Sequence, residues 1–385
     1  MTTHLMATYG PAPRRFVSGS GSWLVDADGE RYLDCLSGLA VTSLGHAHPE
    51  VAAAIAAQAG TLLHVSNLFD HPLREEVAAT LDRLLGGGGQ VFFCNSGAEA
   101  NEAALKLARR ANPGRPGVLA TFNGFHGRTF GALAATGQPT KQAGFEPLPP
   151  GFSHVEFGDL RAAATALRAE PSIGALLVEV VQGEGGVVEA SSDYLPGLRQ
   201  LCDDTGVLLI LDEVQTGLGR CGTWFAHQRD GVSPDVVTMA KALGNGMPVG
   251  ACWARAEVAA AFQPGDHGTT FGGQPLALAA AKATLEALEA LDAPAAAAAR
   301  GAQLRAGLEA IPGVVTVRGR GLLLAAVIEG QATAVVTAAL DQGLIVNAVR
   351  PDAVRFAPPL TISAAEVDEA LVRFTEALRI VEEER

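Results

Sequence analysis

Apolar segments of strand length alternate with helical patterns through the middle of the chain. The strand-like segments cover residues 91–94, 118–122, 175–181 and 207–211, and the helical patterns cover 73–85, 96–110 and 194–204. Nearly continuous apolar strands that alternate with helices are typical of a parallel sheet with both faces covered. The pattern therefore predicts an α/β fold with a mostly parallel central sheet.

The pattern changes towards the two ends of the chain. The segments 23–29 and 31–34 are predicted to form a hairpin around Asp28 and Gly29, a pair that favours a hairpin turn. After residue 275 the chain carries two long helical patterns followed by short strand-like segments, at 275–291, 295–308, 314–318, 322–328, 344–347 and 354–356. These short elements predict a smaller α+β unit beside the central sheet.

Composition and charge limit the class of protein. Of the 385 residues, 48% are hydrophobic and 18% are charged, which is typical of a globular chain. The net charge of −13 argues against nucleic acid or an anionic membrane as the main partner. No signal-like or membrane-spanning apolar segment is present, and the five scattered cysteines form no Cys-x-x-Cys pair. A cytoplasmic protein without a disulfide framework is expected.

A possible phosphate site follows the strand at 91–94. Ser96 and Glu99 have the spacing of a capping box, which fixes the start of a helix. The backbone N–H groups of Gly97 and Ala98 then point outward at the positive end of the helix dipole. An ordinary well-capped helix is the alternative interpretation.

Four further residues lie in strand-end or strand-like settings. Phe125 and Arg128 follow the strand at 118–122, where an aromatic ring can stack on a flat cofactor and an arginine can bind a carboxylate. Glu184 lies in a glycine-rich loop after the strand at 175–181, and Arg355 lies in an apolar strand. A buried arginine needs an acidic partner or an anionic ligand, and Glu184 is a candidate partner. A buried loop aromatic and a surface ion pair remain open for Phe125 and Arg128.

Lys241 and Asp212 each end an apolar segment. Lys241 precedes a glycine-rich turn, and Asp212 closes the segment at 207–211. A lysine that bonds covalently to a cofactor aldehyde and an acid that holds a pyridinium nitrogen protonated are two groups that a pyridoxal-phosphate enzyme needs. The alternative for Lys241 is an ordinary surface charge.

Two other motifs are weaker. Gly217, Gly219 and Gly222 have the spacing of a dinucleotide fingerprint, but they do not follow a strand directly. His46 and His48 are two residues apart with no third ligand nearby, so a turn is favoured and no metal site is expected.

Taken in order along the chain, eight segments resemble the class III (ornithine-type) pyridoxal-phosphate aminotransferases. They are 45–49, 95–101, 125–128, 182–186, 211–217, 239–244, 267–273 and 354–360. The resemblance extends from about Tyr32 to Phe356. It implies fold type I, with a large domain (46–275) around the mostly parallel sheet and a smaller α+β domain built from segments 1–45 and 276–385. It also implies a homodimer with active sites at the subunit interface and pyridoxal 5'-phosphate as the cofactor.

The resemblance assigns roles position by position. Lys241 would be the cofactor lysine and the proton carrier, and Asp212 would bind the pyridinium nitrogen. The other cofactor contacts would be Ser96, Gly97, Ala98, Phe125, Glu213, Val214, Gln215 and, across the subunit interface, Thr270. The substrate contacts would be Arg128, Thr269 and the switch pair Glu184 and Arg355.

The resemblance also implies a reaction. The terminal amino group of N2-acetylornithine would pass to 2-oxoglutarate, giving N-acetylglutamate 5-semialdehyde and glutamate, a step of arginine biosynthesis. Succinylornithine, succinyl-diaminopimelate, ornithine and 4-aminobutyrate are alternative donors, and an aminomutase, a decarboxylase or a non-catalytic scaffold are alternative classes. No tyrosine lies between Leu33 and His46, which favours an N-acylated donor over ornithine. The chain departs from the family pattern at Thr42, Val180, Asn245 and Gln274, none of which is a catalytic group.

Overall fold

The computed structural model describes residues 4–383. In this range the strands are β1 (Phe16–Ser20), β2 (Trp23–Asp26), β3 (Arg31–Asp34), β4 (Gly89–Cys94), β5 (Gly117–Thr121), β6 (Phe152–Val155), β7 (Ile173–Glu179), β8 (Val181–Gln182), β9 (Val188–Glu189), β10 (Leu208–Asp212), β11 (Val236–Met239), β12 (Gly250–Arg255), β13 (Val314–Arg320), β14 (Leu323–Ile328), β15 (Leu344–Ile345), β16 (Asn347–Arg350) and β17 (Ala353–Phe356). The helices are α1 (Ser37–Ala40), α2 (Pro49–Ala59), α3 (Leu73–Leu85), α4 (Gly97–Ala111), α5 (Phe130–Ala135), α6 (Pro139–Gln142), α7 (Leu160–Ala169), α8 (Tyr194–Thr205), α9 (Ala256–Ala259), α10 (Pro275–Ala290), α11 (Ala293–Glu309), α12 (Ala332–Asp341) and α13 (Ala364–Glu383). Two 3₁₀ turns cover Ala226–Asp230 and Lys241–Gly244.

A seven-stranded sheet forms the centre of the fold. Its order is β4-β12-β11-β10-β7-β5-β6, with β10 parallel to both β7 and β11 and β5 parallel to both β6 and β7. Only β12 within the described chain runs antiparallel to its neighbours in this sheet, β11 and β4. Every residue of β5 and β7 is buried, as expected for strands covered on both faces. The predicted mostly parallel central sheet is confirmed.

The parallel strands all end at the same edge of the sheet, so the residues that follow each strand lie at that edge. β4 ends at Cys94, β5 at Thr121, β7 at Glu179, β10 at Asp212 and β11 at Met239. In open α/β sheets, ligands bind outside the carboxyl ends of such strands. Most of the candidate residues therefore come from separate loops that meet at this edge.

Two smaller sheets involve the ends of the chain. One has the order β1-β2-β3-β15, and its β2–β3 pair is the hairpin predicted around Asp28 and Gly29. The other is antiparallel, with the order β13-β14-β17-β16. Because β15 pairs with β3, the N-terminal and C-terminal segments share a sheet. This pairing is compatible with a small domain built from both segments, although the proposed domain bounds remain a prediction.

No helix within residues 4–383 has the length and apolar character needed to span a bilayer. In the same range no group of three or more His, Cys, Asp or Glu side chains is arranged to hold a metal ion. His46 instead bonds through Nε2 to Asp34 Oδ2 at 2.7 Å.

Candidate active site

A cavity of about 410 Å³ opens at the carboxyl edge of the central sheet. Ten of the predicted site residues line it: Ser96, Gly97, Ala98, Phe125, Arg128, Glu184, Asp212, Val214, Gln215 and Lys241. The other four, Glu213, Thr269, Thr270 and Arg355, lie outside this lining. The lining also includes Asn101, His126 and Glu179, for which no role was predicted.

The N-terminus of α4 presents free backbone donors to the cavity. Ser96 caps the helix, because its Oγ accepts from the N–H of Glu99 at 3.2 Å. Glu99 Oε2 accepts from the N–H of Asn95 at 2.7 Å, one residue before the position that a capping box prescribes. The N–H groups of Gly97 and Ala98 find no acceptor among residues 4–383. They are placed to bind an anion at the positive end of the helix.

Asp212 is held on the cavity floor by a buried hydrogen-bond network. Its Oδ2 accepts from Asn101 Nδ2 at 2.8 Å and lies 2.8 Å from His126 Nδ1, while its Oδ1 accepts from the N–H of Val214 at 3.0 Å. Asn101 is itself fixed, because its Oδ1 accepts from Thr238 Oγ1 at 2.7 Å. Three donors therefore orient one carboxylate, which is 4% exposed, towards a ligand.

Lys241 begins the 3₁₀ turn that follows β11, with a backbone φ of 42°. Its side chain lines the cavity and is half-buried. Burial, reinforced by the positive charge of Arg355, lowers the pKa of Lys241 to about 8. A substantial fraction of the amine is therefore neutral near physiological pH, as a nucleophile or a general base requires.

Glu184 and Arg355 form an ion pair at the cavity wall. Arg355 Nη1 donates to Glu184 Oε1 at 2.7 Å and to Gln215 Oε1 at 3.1 Å, and Arg355 Nε donates to Asn347 Oδ1 at 3.0 Å. Arg355 is fully buried, and its Nη2 has no acceptor among the described residues. Burial raises the pKa of Glu184, but the charge and hydrogen bond of Arg355 bring it below its ordinary value. The pair is ionised and retains one unused donor.

Glu179 is a buried acid that the sequence analysis missed. Its Oε2 accepts from the N–H of Phe125 at 3.0 Å, and its Oε1 accepts from the N–H of Gly183 at 3.2 Å. Burial raises the pKa of Glu179 to about 7, against the opposing influence of His126. Glu179 thus ties the loop that carries Phe125 to the loop that carries Glu184. An acid inside an otherwise apolar strand was the signal that could have revealed it.

Three predicted residues lie outside the lining for identifiable reasons. The carboxylate of Glu213 is buried against His227, accepting from its backbone N–H at 2.9 Å and lying 2.8 Å from its Nδ1. Thr269 Oγ1 accepts from Asn95 Nδ2 at 3.1 Å, just before the start of α4. Thr270 is exposed on the surface of its own chain. The structure thus separates these three side chains from the cavity floor.

Comparison with known proteins gives one consistent family. The profile of the family described as aminotransferase class-III matches residues 6–378. The chain is 49% identical to an acetylornithine aminotransferase of Corynebacterium efficiens, over 95% of this chain and 93% of that protein.

Among solved structures, the chain resembles the ornithine aminotransferase from Toxoplasma gondii ME49, with 34% identity and a TM-score of 0.95, over 99% of this chain and 94% of that one. It also resembles the N-acetylornithine aminotransferase from Stenotrophomonas maltophilia K279a, with 36% identity and a TM-score of 0.85, over 97% of this chain and 98% of that one.

Proposed function

We propose that this chain, which belongs to the class III aminotransferase family, transfers the terminal amino group of N2-acetylornithine to 2-oxoglutarate. The products are N-acetylglutamate 5-semialdehyde and glutamate, and the step belongs to arginine biosynthesis. The observation that carries the proposal is the meeting of Lys241, Asp212 and the Glu184–Arg355 pair around one cavity. The identity to acetylornithine aminotransferases supports the choice of donor.

The family depends on pyridoxal 5'-phosphate, and the cavity fits that cofactor. The free N–H groups of Gly97 and Ala98 match a phosphate. The carboxylate of Asp212 matches a protonated ring nitrogen, and the apolar side chains of Phe125 and Val214 lie in the same lining. When bound, the cofactor supplies an aldehyde that bonds covalently to an amine and a ring that withdraws electrons from the carbon bearing the amino group.

The protein's own groups divide the remaining work. Neutral Lys241 provides Nζ as the amine that bonds to the cofactor and, once free, as a base that takes a proton from the substrate carbon and returns it elsewhere. Its pKa near 8 suits both directions of proton transfer. Asp212 keeps its negative charge in place because its three hydrogen-bond partners leave it little freedom to turn.

The Glu184–Arg355 pair supports the use of two unlike substrates. While the pair is closed, the charges cancel and that side of the cavity suits the reacting end of the donor, a terminal amine carbon that carries no carboxylate. When Arg355 receives a carboxylate, the same side suits a dicarboxylate such as 2-oxoglutarate or glutamate. Arg128 is exposed at the cavity and has no carboxylate partner within residues 4–383, so it is available for the α-carboxylate of the donor. Thr269 is proposed to assist it.

A homodimer is proposed as the active unit. Phe271, next to the exposed Thr270, is 60% exposed, while Leu68 and Phe69 on a neighbouring loop are 88% and 67% exposed. Asn67 joins the two loops by donating to the Thr269 carbonyl at 2.7 Å. A second subunit would cover this apolar surface and place its own Thr270 at the phosphate site. A cytoplasmic location is proposed because the five cysteines are free thiols, as is usual in a reducing compartment.

The proposed donor is tested in a single half-reaction without keto acid. Purified holoenzyme is mixed separately with acetylornithine and with ornithine, and loss of the visible absorbance band of the lysine-bound cofactor is followed. Acetylornithine is expected to discharge the band faster than ornithine. Efficient discharge by ornithine alone would sink the choice of donor.

Two controls complete the test. Lys241→Ala is expected to abolish the band, whereas Lys282→Ala, which alters a surface lysine paired with Glu76, is expected to retain it. Product formation must require added 2-oxoglutarate, because an aminomutase would turn over without a keto acid.

A further inference from the structure

The short helix α6 is fastened beside the cavity by two glutamines. Gln138 Nε2 donates to the carbonyls of Asn123 at 3.1 Å and Gly124 at 3.3 Å. Gln142 Nε2 donates to the carbonyl of Thr136 at 2.9 Å. Lys141 lies between these two anchors, so its backbone is fixed against the loop that carries Phe125.

Lys141 and Arg128 approach the same aromatic ring. Lys141 Nζ lies 5.7 Å from the centroid of Phe125, and the guanidinium carbon of Arg128 lies 5.8 Å from it. Lys141 is half-buried, and no carboxylate within residues 4–383 lies at ion-pair distance from either cation. Two unpaired cations therefore approach Phe125, whose ring lines the cavity.

The loop that carries Glu184 and the anchor of α6 both approach the carbonyl group of Asn123. A Cβ atom at Gly185 would lie 3.1 Å from the Asn123 carbonyl oxygen, which is the oxygen that also accepts from Gln138. Glu184 thus leaves its loop close to the anchor of Lys141. Burial raises the pKa of Glu184, and Arg355, with smaller contributions from Lys241 and then Lys141, lowers it, so the negative charge of Glu184 is within the electrostatic reach of both lysines.

We propose that Lys141 is a specificity-determining residue that becomes the ion-pair partner of Glu184 when Arg355 receives a substrate carboxylate. The inference rests on the proposed function, because it concerns the keto-acid half of the transamination. A carboxylate arriving at Arg355 places a second negative charge beside Glu184, and like charges at one guanidinium repel each other. Glu184 is only 28% exposed, so water solvates its carboxylate poorly, and leaving this charge without a cation would be unfavourable. Lys141, beside Phe125, supplies the missing cation.

The first experiment measures ligand binding without turnover. Glutarate, a dicarboxylate with no amino or keto group, is titrated calorimetrically into wild-type holoenzyme, Lys141→Met and Lys141→Arg. Lys141→Met is expected to raise the Kd about tenfold, the ratio that corresponds to about 1.4 kcal/mol. Lys141→Arg is expected to stay within about threefold of the wild type, because it keeps the charge. Lys282→Met, which removes a lysine charge outside the cavity, is expected to leave the Kd unchanged.

The second experiment tests the partner of Lys141. In a Glu184→Gln background, Lys141→Met is expected to have no further effect on the glutarate Kd, since the charge that Lys141 receives is gone. The half-reaction with whichever amine donor the wild type accepts is expected to change by less than about twofold in Lys141→Met, because Glu184 stays paired with Arg355.

Three results would overturn the inference: an unchanged glutarate Kd in Lys141→Met, an equal loss of donor and glutarate binding, or a full effect of Lys141→Met in the Glu184→Gln background. The first would show that Lys141 is not needed, and the other two that it attracts anions without pairing to Glu184. Failure of the wild type to convert 2-oxoglutarate with any amine would instead overturn the proposed function.

Discussion

Asn101→Ala is the sharpest test of the network beneath the cavity. Asn101 is 1% exposed and makes three short hydrogen bonds, to the carboxylate of Asp212, to the carbonyl of His126 and to the hydroxyl of Thr238. A bond to a charged group contributes about 1.5–3 kcal/mol and a neutral bond about 0.5–1.5 kcal/mol. Losing all three should lower the free energy of unfolding by about 2.5–6 kcal/mol.

Asn112→Ala is the matched control. Asn112 caps the C-terminal end of the same helix and is half-buried, with one short bond to the carbonyl of Gly174 at 2.7 Å. Its removal should cost about 1 kcal/mol. Both variants are unfolded in urea without cofactor and at one protein concentration, because subunit association would otherwise add to the apparent stability. The reasoning is refuted if Asn101→Ala is no more destabilising than Asn112→Ala.

Three further changes test other contacts in the cavity. Burial and Arg355 lower the pKa of Lys241 to about 8, so the cofactor-free protein should bind pyridoxal phosphate faster as this amine loses its proton, with a midpoint near pH 8. Arg355→Met should move the midpoint to higher pH, because it removes the positive charge that lowers this pKa. An unmoved midpoint would contradict the assignment. Glu179→Gln can accept from only one of the backbone N–H groups of Phe125 and Gly183, so equilibrium titration should show the cofactor Kd raised about tenfold. An unaltered Kd would mean that the contact of Glu179 with these two loops is dispensable. Gly97→Ala should weaken cofactor binding, because the new Cβ atom would lie 2.8 Å from Val214 Cγ1 and push Val214 into the cavity. The double variant with Val214→Ala should bind the cofactor as the wild type does. No recovery of binding would argue against this steric cause.

The central elements could be predicted because burial on both faces leaves a local pattern. β7 and β10 are continuous apolar segments, and the polar residues that follow them mark the ligand edge. α3 begins and ends at the predicted residues, and its end is set by Gly86, which closes it in a left-handed conformation with φ of 103°. β12 was not predicted, since the segment Gly250–Arg255 is rich in small residues and has no β-branched residue, and it is held by pairing with the preceding strand β11 and the distant strand β4.

The site was only partly predictable for a different reason. A motif places a residue near the cavity, but it does not tell which way the side chain turns. Asp212 and Glu213 are adjacent, yet the carboxylate of Asp212 lines the cavity while that of Glu213 binds His227. Asn101 belongs to the segment 95–101 that resembles the family, but its role could not be predicted because its three hydrogen-bond partners come from separate segments.

Backbone strain at the cavity supports a chemical role for Lys241. Its φ of 42° lies in the left-handed region, where a residue with a Cβ pays about 1–2 kcal/mol and glycine pays nothing. Asn123 and Asn245, in loops beside the same strand ends, also have positive φ, but asparagine tolerates this conformation. Glycine or asparagine at position 241 would adopt the same turn at a lower backbone cost. A lysine there, with its amine held in a cavity that lowers its pKa, is retained in spite of the backbone cost, and strain of this kind persists where the side chain is needed.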